Sequence, residues 1–391
     1  ILFERGDHIS YASCGLPYYI GDIITKRDKL FVQKPEGFGR RFNMDVRVGT
    51  EVLSINTENK TVHARNLATG EEYDEEYDKL LLSPGAEPIR PPIPGINHPA
   101  IFTMRNVPDT DRIREFVDEK KPRRAVVVGA GFIGLEMAEN LHKRGIFVTI
   151  VEMARQVMTP LDFEMAAAVH QHLKMHHVEF YLDDAVASFE DRDNLVVTRT
   201  KKGRALVADL VILSIGVKPE NRLAKEAGLP VGPRGGIVVN NYLQTSNPDI
   251  YAVGDAIEFP HPLTGKGACV YLAGPATKQG RAAADNIALG NSRTYEGAYG
   301  AAVAKVFDLT VASVGLPEKA LREEGIPCLT AIIHTPHHAG YYPGSHPMTV
   351  KIVFSPNGSR LLGAQIVGRD GVDKRIDVLS ALMRKGGSIW D

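Results

Sequence analysis

Cys14 is the residue best placed by its neighbours to do chemistry in this 391-residue chain, which has two other cysteines, Cys269 and Cys328. Gly15 removes steric cover beside its sulfur. A helix opening next to it would put the thiol near a helix N-terminus, which lowers thiol pKa and favours the nucleophilic thiolate. There is no Cys-x-x-Cys, and Cys14 has no cysteine nearby in sequence to form an internal disulfide with. Its oxidised state would therefore be a mixed disulfide, a persulfide or a sulfenic acid. Cys269 and Cys328 read as structural thiols. An odd number of widely spaced cysteines argues against a disulfide scaffold and a zinc site, and fits a reducing cytoplasmic compartment.

A second constellation binds rather than reacts. Gly129-Ala130-Gly131-Phe132-Ile133-Gly134 follows the apolar run Ala125-Val126-Val127-Val128 and opens a helical pattern. Glycines at this spacing allow a tight turn, close approach to a pyrophosphate and tight helix–strand packing. The helix start then offers N–H groups and a positive dipole end to phosphate. Glu152 lies 23 residues after Gly129, at the end of the next strand, where a carboxylate accepts the ribose 2′-hydroxyl. That carboxylate repels a 2′-phosphate, so NADH is expected over NADPH, although Arg155 stands close enough to keep NADPH as the alternative. Glu4 ends another apolar run and could be the acid of a first nucleotide unit, whose glycine turn would lie some ~20–25 residues earlier. The chain opens without Met on Ile1-Leu2-Phe3, read as half of a buried strand, and is expected to be cut at both ends.

Histidines form two groups, His170, His172, His176 and His177, and His334, His337, His338 and His346. His172 and His176 share a helical face, but no Glu stands between them in a zincin arrangement and no cysteine is near, so no metal is expected. A net charge of -1 gives no electrostatic reason to expect nucleic acid or an anionic membrane as partner. No apolar run approaches the roughly 20 residues that span a bilayer.

The elements that must position these residues alternate between short β-branched runs and helical patterns, which is the signature of α/β architecture. Strands are expected over residues 46–53, 61–63, 77–83 (buried), 125–128 and 147–152, near Glu179, Leu195 and Leu210, and over 249–254. Helices are expected over residues 109–119, from the glycine turn to about Arg144, and over 162–176 and 274–289. From about Tyr299 the pattern changes to alternating strands, 301–307 and 348–354, and looks like a separate sheet-plus-helix domain.

The stretch Ser10-Tyr11-Ala12-Ser13-Cys14-Gly15-Leu16-Pro17-Tyr18-Tyr19-Ile20-Gly21 resembles the active-site segment of the single-cysteine pyridine nucleotide–disulfide oxidoreductases. Its Cys-Gly-Leu-Pro-Tyr-Tyr form is similar to the coenzyme A-disulfide reductase and NADH-dependent persulfide reductase branch. Further landmarks are Ser83-Pro84-Gly85-Ala86, Ile215-Gly216-Val217-Lys218-Pro219, Ala252-Val253-Gly254-Asp255-Ala256, Leu272-Ala273-Gly274-Pro275 and His338-Ala339-Gly340-Tyr341-Tyr342-Pro343-Gly344.

The resemblance implies two Rossmann-like nucleotide-binding domains, for FAD and NAD, plus a C-terminal α+β dimerisation domain. Their expected bounds are 1–119 and 247–298 for FAD, 120–246 for NAD and 299–391 for the dimerisation domain. It implies that Glu4, Arg5, Pro84, Gly85, Arg105, Gly254, Asp255 and Ala273 meet FAD. Gly129, Gly131, Ile133, Gly134, Glu152 and Gly216 complete the cofactor set. Ser10, Ser13 and Arg41 are the expected substrate contacts, with Arg40, Lys26 and Arg27 as further cations for a coenzyme A phosphate. Tyr341 or Tyr342 would reach Cys14 from the partner subunit of a homodimer. Electrons would pass from NADH through FAD to Cys14 and on to a coenzyme A-linked disulfide, persulfide or polysulfide. The branch usually has Asn before the cysteine. Ser13 at that place is also common in NADH oxidases and peroxidases, which cycle the cysteine through sulfenic acid.

Overall fold

The apolar run before the glycine turn has no polar face, the composition of a strand covered on both sides. It forms Arg124–Val128, at the centre of a five-stranded sheet. The strand order is Ile101–Phe102, Leu210–Leu213, Arg124–Val128, Phe147–Val151, Glu179–Tyr181, and every pairing is parallel. Helices Val107–Lys120, Phe132–Lys143 and Phe163–Met175 supply the long connections that parallel strands require. Their apolar faces close a core around Val127, Ile150, Met137, Leu141 and Ile212. An antiparallel meander, Val186–Arg192, Leu195–Thr200 and Ala205–Ala208, is inserted before the last strand of this unit.

The computed structural model describes residues 1–391 and divides into two units. The parallel sheet belongs to the unit of Pro17–Ile23, Pro88–Gly216 and Tyr299–Asp391. The C-terminal part of that unit is an antiparallel sheet of order Ala302–Val306, Leu309–Gly315, Leu361–Gly368, Pro347–Phe354, Leu329–Pro336. Helix Val372–Arg384 buries Val372, Ile376 and Met383. The other unit comprises Ile1–Leu16, Ile24–Glu87 and Val217–Ala298, with its core around Val62, Leu82, Ile250, Ala252, Ile257 and Ala283. The expected α/β fold class, with an α+β C-terminal part, is what the chain adopts.

Three expected strands differ. Residues 46–53 form two strands, Val46–Arg47 and Thr50–Asn56. Gly49 breaks them with φ +59°, and its N–H donates to Gly6 O at 3.1 Å. The expected buried strand at 77–83 is only Leu80–Leu82, with Leu81 38% exposed, because it pairs on one edge alone, with Ile250–Ala252. The opening strand, Leu2–Phe3, is likewise half-buried and pairs with Val46–Arg47 alone.

Inside the second unit, one buried cation joins the C-terminal sheet to the layers around the parallel sheet. Lys351 is fully buried, with its Nζ 2.9 Å from Asp162 Oδ2, 2.8 Å from Glu318 Oε2 and hydrogen-bonded to Glu164. Asp162 is also held by Gln365 Nε2 at 2.7 Å and by the Glu318 and Lys319 N–H groups at 3.0 and 3.2 Å. Burial alone would lower the Lys351 pKa, but the hydrogen bonds it donates to Glu164, Glu318 and Asp162 outweigh it and hold the ammonium above its ordinary value. Burial would raise Asp162, yet Lys351 and its other donors hold it below the usual carboxylate range. Glu318 is lowered chiefly by Lys351. Removing one partner leaves buried charge uncompensated, at a cost of about 3–5 kcal/mol. Lys351→Met is therefore expected to destabilise the protein by about that amount near neutral pH, measured by denaturant unfolding. Because the carboxylate pKa values are depressed, their contribution is present above the unfolded carboxylate range and is lost on acidification. The gap between variant and wild type should narrow as pH falls through the folded-state values.

Candidate functional site

The glycine turn explains its own composition. Gly129 has φ +100°, and a Cβ there would lie 2.4 Å from Ser214 O. A Cβ on Gly134 would lie 2.0 Å from Gly129 O, so the helix and strand touch backbone to backbone. Gly131, by contrast, faces open space. It is the N-cap of helix Phe132–Lys143, and no side chain caps that helix. The N–H groups of its first turn are thus offered outward, as an anion requires. Ile133 is 39% exposed on the same turn. Glu152 Oε2 accepts from Ala130 N–H and Oε1 from Ala154 N–H, each at 2.7 Å, which fixes the carboxylate beside the turn. Gly216 closes the far side of this unit with φ +105°, its carbonyl accepting from Ile89 N–H at 3.0 Å. Arg105 precedes helix Val107–Lys120, its N–H on Asp109 Oδ2 at 3.0 Å.

Cys14 is exposed, forms no disulfide and sits in the 3-10 turn Ser13–Gly15. The turn is closed by Gly15 N–H on Ala12 O at 2.8 Å and anchored by Ala12 N–H on Leu30 O at 2.7 Å. Gly15 has a second reason to be glycine: a Cβ would come within 3.1 Å of Ile24 Cδ1 and 3.4 Å of Leu30 Cδ2. The helix after it is only Leu16–Ile20, about one and a half turns long, so the nearby helix end expected from sequence is slight. Ser10 lies in strand Ser10–Tyr11, opposite Gln33, and Ser13 opens the cysteine turn. Arg41 is exposed on helix Pro35–Phe42, its guanidinium 5.2 Å from the centre of the Phe42 ring. Burial pushes the Cys269 and Cys328 thiols up, which disfavours their thiolates.

The same unit contains the other turns singled out in the sequence. Glu4 follows strand Leu2–Phe3 and accepts from Gly6 N–H at 2.6 Å, while Arg5 lies 3.6 Å from Glu51. Pro84 leads into Gly85, which has φ +77° and an open face, and whose carbonyl accepts from Glu220 N–H. Gly254 also has φ +77° and open space where a Cβ would be. Its N–H donates to Gln279 Oε1 at 2.7 Å, and Gln279 Nε2 donates to Tyr295 OH at 3.1 Å. Gln279 is buried and positions the Gly254–Asp255 turn, a role with no signal in the sequence. Burial pushes the Asp255 carboxyl above its ordinary value. Ala273 begins the 17-residue helix Ala273–Leu289, which again has no side-chain cap.

Cys14, Ser10, Ser13, Arg41, Glu4, Arg5, Pro84, Gly85, Gly254, Asp255 and Ala273 belong to one unit. The glycine turn, Glu152, Arg105, Gly216, Tyr341 and Tyr342 belong to the other. Tyr341 and Tyr342 are 93% and 65% exposed in the loop after strand Leu329–Pro336. His338 Nε2 lies 3.2 Å from Tyr342 O in that loop.

An exposed thiol and uncapped helix starts beside glycine turns define a nucleotide-dependent redox protein. The turns have bare backbone, outward N–H groups and room, so they fit dinucleotides. Residues 1–280 match the model described as pyridine nucleotide-disulphide oxidoreductase, and residues 301–391 match the dimerisation domain of the same family. The chain belongs to the pyridine nucleotide-disulphide oxidoreductases, and is thus a flavoenzyme using FAD and a nicotinamide nucleotide.

Among its relatives is a coenzyme A disulfide reductase of Staphylococcus haemolyticus, 34% identical over 98% of this chain and 85% of that protein. The reduced Bacillus anthracis CoADR-RHD structure is 52% identical, with a TM-score of 0.97, covering 100% of this chain and 70% of that one. The NAD-dependent persulfide reductase of A. fulgidus is 36% identical, with a TM-score of 0.95, over 99% and 72% of the two chains. No helix is long and apolar enough to cross a membrane.

The raised Asp255 pKa has a measurable consequence. An acid whose folded pKa is raised opposes folding once ionised, so it makes the flavin-free protein more stable as pH falls through that pKa. Asp255→Asn is expected to raise the melting temperature of the flavin-free protein at neutral pH and to remove this part of its pH dependence. Thermal unfolding across pH 4–8 checks it; an unchanged profile would show that Asp255 is not penalised by burial.

Proposed function

We propose that this enzyme reduces a coenzyme A-linked disulfide, persulfide or polysulfide with NADH, using Cys14 as its reacting group. The observation that carries the reading is an exposed, disulfide-free Cys14 in a segment that resembles the active-site stretch of the single-cysteine reductases. FAD, when bound, supplies two-electron transfer between nicotinamide and sulfur. The rest falls to the chain. The Cys14 thiolate attacks one sulfur of the substrate disulfide, forming a Cys14–sulfur bond as the substrate S–S bond breaks and one thiolate leaves. Two electrons and a proton then cleave that mixed disulfide, restoring the thiolate and releasing the second thiol. With a persulfide, the sulfur transferred to Cys14 leaves as sulfide.

In this proposal the uncapped start of helix Phe132–Lys143 binds the pyrophosphate of NADH, and Glu152 binds its ribose. Glu4, Gly85, the Gly254–Asp255 turn and the Ala273 helix start hold FAD, with Pro84 and Arg5 beside them, and Arg105 of the second unit is a further flavin-binding candidate. Ser10, Ser13 and Arg41 meet substrate, and Tyr341 or Tyr342 of a second copy donates to the leaving sulfur. Strand Leu329–Pro336 supports such a homodimer. It is an edge strand with exposed Leu329 and Ile333 on one face and exposed Ile332 on the other, apolar surface that association with another copy would cover.

The discriminating experiment is NADH oxidation by the FAD-loaded enzyme with coenzyme A disulfide, coenzyme A persulfide, peroxide and oxygen in parallel. Turnover with a sulfur substrate should exceed that with oxygen or peroxide; the reverse order overturns the proposal in favour of an oxidase or peroxidase. Cys14→Ser should lose roughly a thousandfold or more of sulfur-substrate turnover while flavin bleaching by NADH persists. Glu152→Ala should reduce the NADH-over-NADPH preference by roughly tenfold or more, the scale of a charge-assisted hydrogen bond. An unaltered cofactor ratio would remove Glu152 from ribose recognition.

A further inference from the structure

Away from the thiol and the nucleotide turns, three metal-ligating side chains converge within the second unit. His172 lies in helix Phe163–Met175 and His176 is its C-cap, so the two rings stand one turn apart on the same face. Asp308 comes from 132 residues further on, at the turn between strands Ala302–Val306 and Leu309–Gly315. His172 Nε2 lies 2.8 Å and His176 Nε2 3.2 Å from the same atom, Asp308 Oδ1. The three ligand atoms all fall within 4.8 Å of one another.

Two observations separate this group from an ordinary ion-pair cluster. First, His172 is 94% buried and its Nε2 has no well-aligned hydrogen-bond partner, although Asp308 Oδ1 lies 2.8 Å away as an ion-pair contact. A buried ring nitrogen without a donor or acceptor is costly unless something else takes its lone pair. Second, the turn carrying Asp308 is pinned in an unusual shape. Phe307 has φ +56°, a left-handed conformation that is rare for an aromatic residue. Its N–H donates to buried Glu139 at 2.7 Å, and its ring stacks on His176 at 4.0 Å with 5° between the planes. Arg369 Nη2 takes the other carboxylate oxygen, Oδ2, at 2.9 Å, leaving Oδ1 directed at the two imidazoles.

We propose that His172, His176 and Asp308 form a zinc site that clamps the Phe163–Met175 helix to the C-terminal sheet. Two imidazole nitrogens and one carboxylate oxygen are a donor set for tetrahedral Zn²⁺, whose bonds of about 2.0–2.2 Å place ligand atoms roughly 3.3–3.6 Å apart, so the 2.8 Å His172–Asp308 pair opens slightly to admit the ion. His176 and Asp308 are partly exposed, with side chains 34% and 45% accessible. A cation can therefore enter, and water can complete the coordination. Arg369 acts on the carboxylate from the second shell of contacts, and the stacked Phe307 fixes the His176 ring.

The test uses the FAD-loaded full chain, stripped with chelator, in a Cys14→Ser background so that the exposed thiol cannot bind zinc. Calorimetric titration with zinc sulfate should show one saturable equivalent. Co²⁺ should give the d–d absorption of a tetrahedral site without thiolate charge transfer. Zinc at saturation should raise the melting temperature by roughly 3 °C or more. His176→Ala and Asp308→Ala, both at partly exposed positions, should each weaken binding roughly tenfold or more and abolish the thermal shift. Circular dichroism of each variant confirms that it folds. No saturable binding at roughly 100 µM free zinc, or equal binding in folded His176→Ala and Asp308→Ala, would overturn the site.

Discussion

The backbone contact between Gly129 and Gly134 governs more of this molecule than any side chain does. The ideal Cβ of Gly134 would sit 2.0 Å from Gly129 O, so helix Phe132–Lys143 lies against the strand turn with nothing between them. That approach aims the helix start at the space in front of Gly131, where a pyrophosphate can use the N–H groups. It also leaves Ala130 N–H where Glu152 can accept from it. In the proposed mode of NADH binding, phosphate and ribose recognition are thus consequences of one close contact.

The same helix orders segments far from it in sequence. Asn140 packs so tightly on Gly21 that a Cβ there would fall 2.1 Å from Asn140 Oδ1. Arg144, just past the helix end, donates to Ile20 O at 2.9 Å. Arg114 adds a hydrogen bond to Asp22 at 2.8 Å and lies 4.2 Å from the centre of the Tyr19 ring. The Pro17–Ile23 segment that follows the cysteine turn is therefore fastened to the nucleotide-binding layers. On its other side the helix uses buried Glu139 to hold Phe307 and, with it, the Asp308 turn. A helix whose start has no side-chain cap thus also serves as the frame for two distant loops.

Lys351 plays the complementary role at the junction with the C-terminal sheet. Three carboxylates around one buried ammonium are less stabilising than an apolar contact of the same volume could be, because each ion has lost its water. Their geometry is nevertheless directional: Asp162 accepts from Gln365 and from two backbone N–H groups as well as from Lys351. An apolar patch could slide, whereas this network admits one docking of helix Phe163–Met175 on the sheet. His172 and His176 stand at the end of that same helix and meet Asp308 of the C-terminal sheet through the same docking.

The sequence by itself determined the α/β class, the dinucleotide turn with its Glu152, and the singularity of Cys14. These are local: an apolar strand, glycines at fixed spacing and a helical pattern all lie within about 30 residues, the reach of one βαβ unit. Short strands were less legible. The break at Gly49 depends on Gly6, and the exposure of Leu81 depends on which strand edges are paired. Tertiary structure alone decided that Gln279 supports the Asp255 turn, that Lys351 is a buried ion, and that Asp308 faces two histidines. Each of these joins residues separated by 25 positions or more, or brings a charge into a low-dielectric interior. Periodicity carries no record of such pairings, because their energies arise only when packing excludes water from groups the chain has brought together.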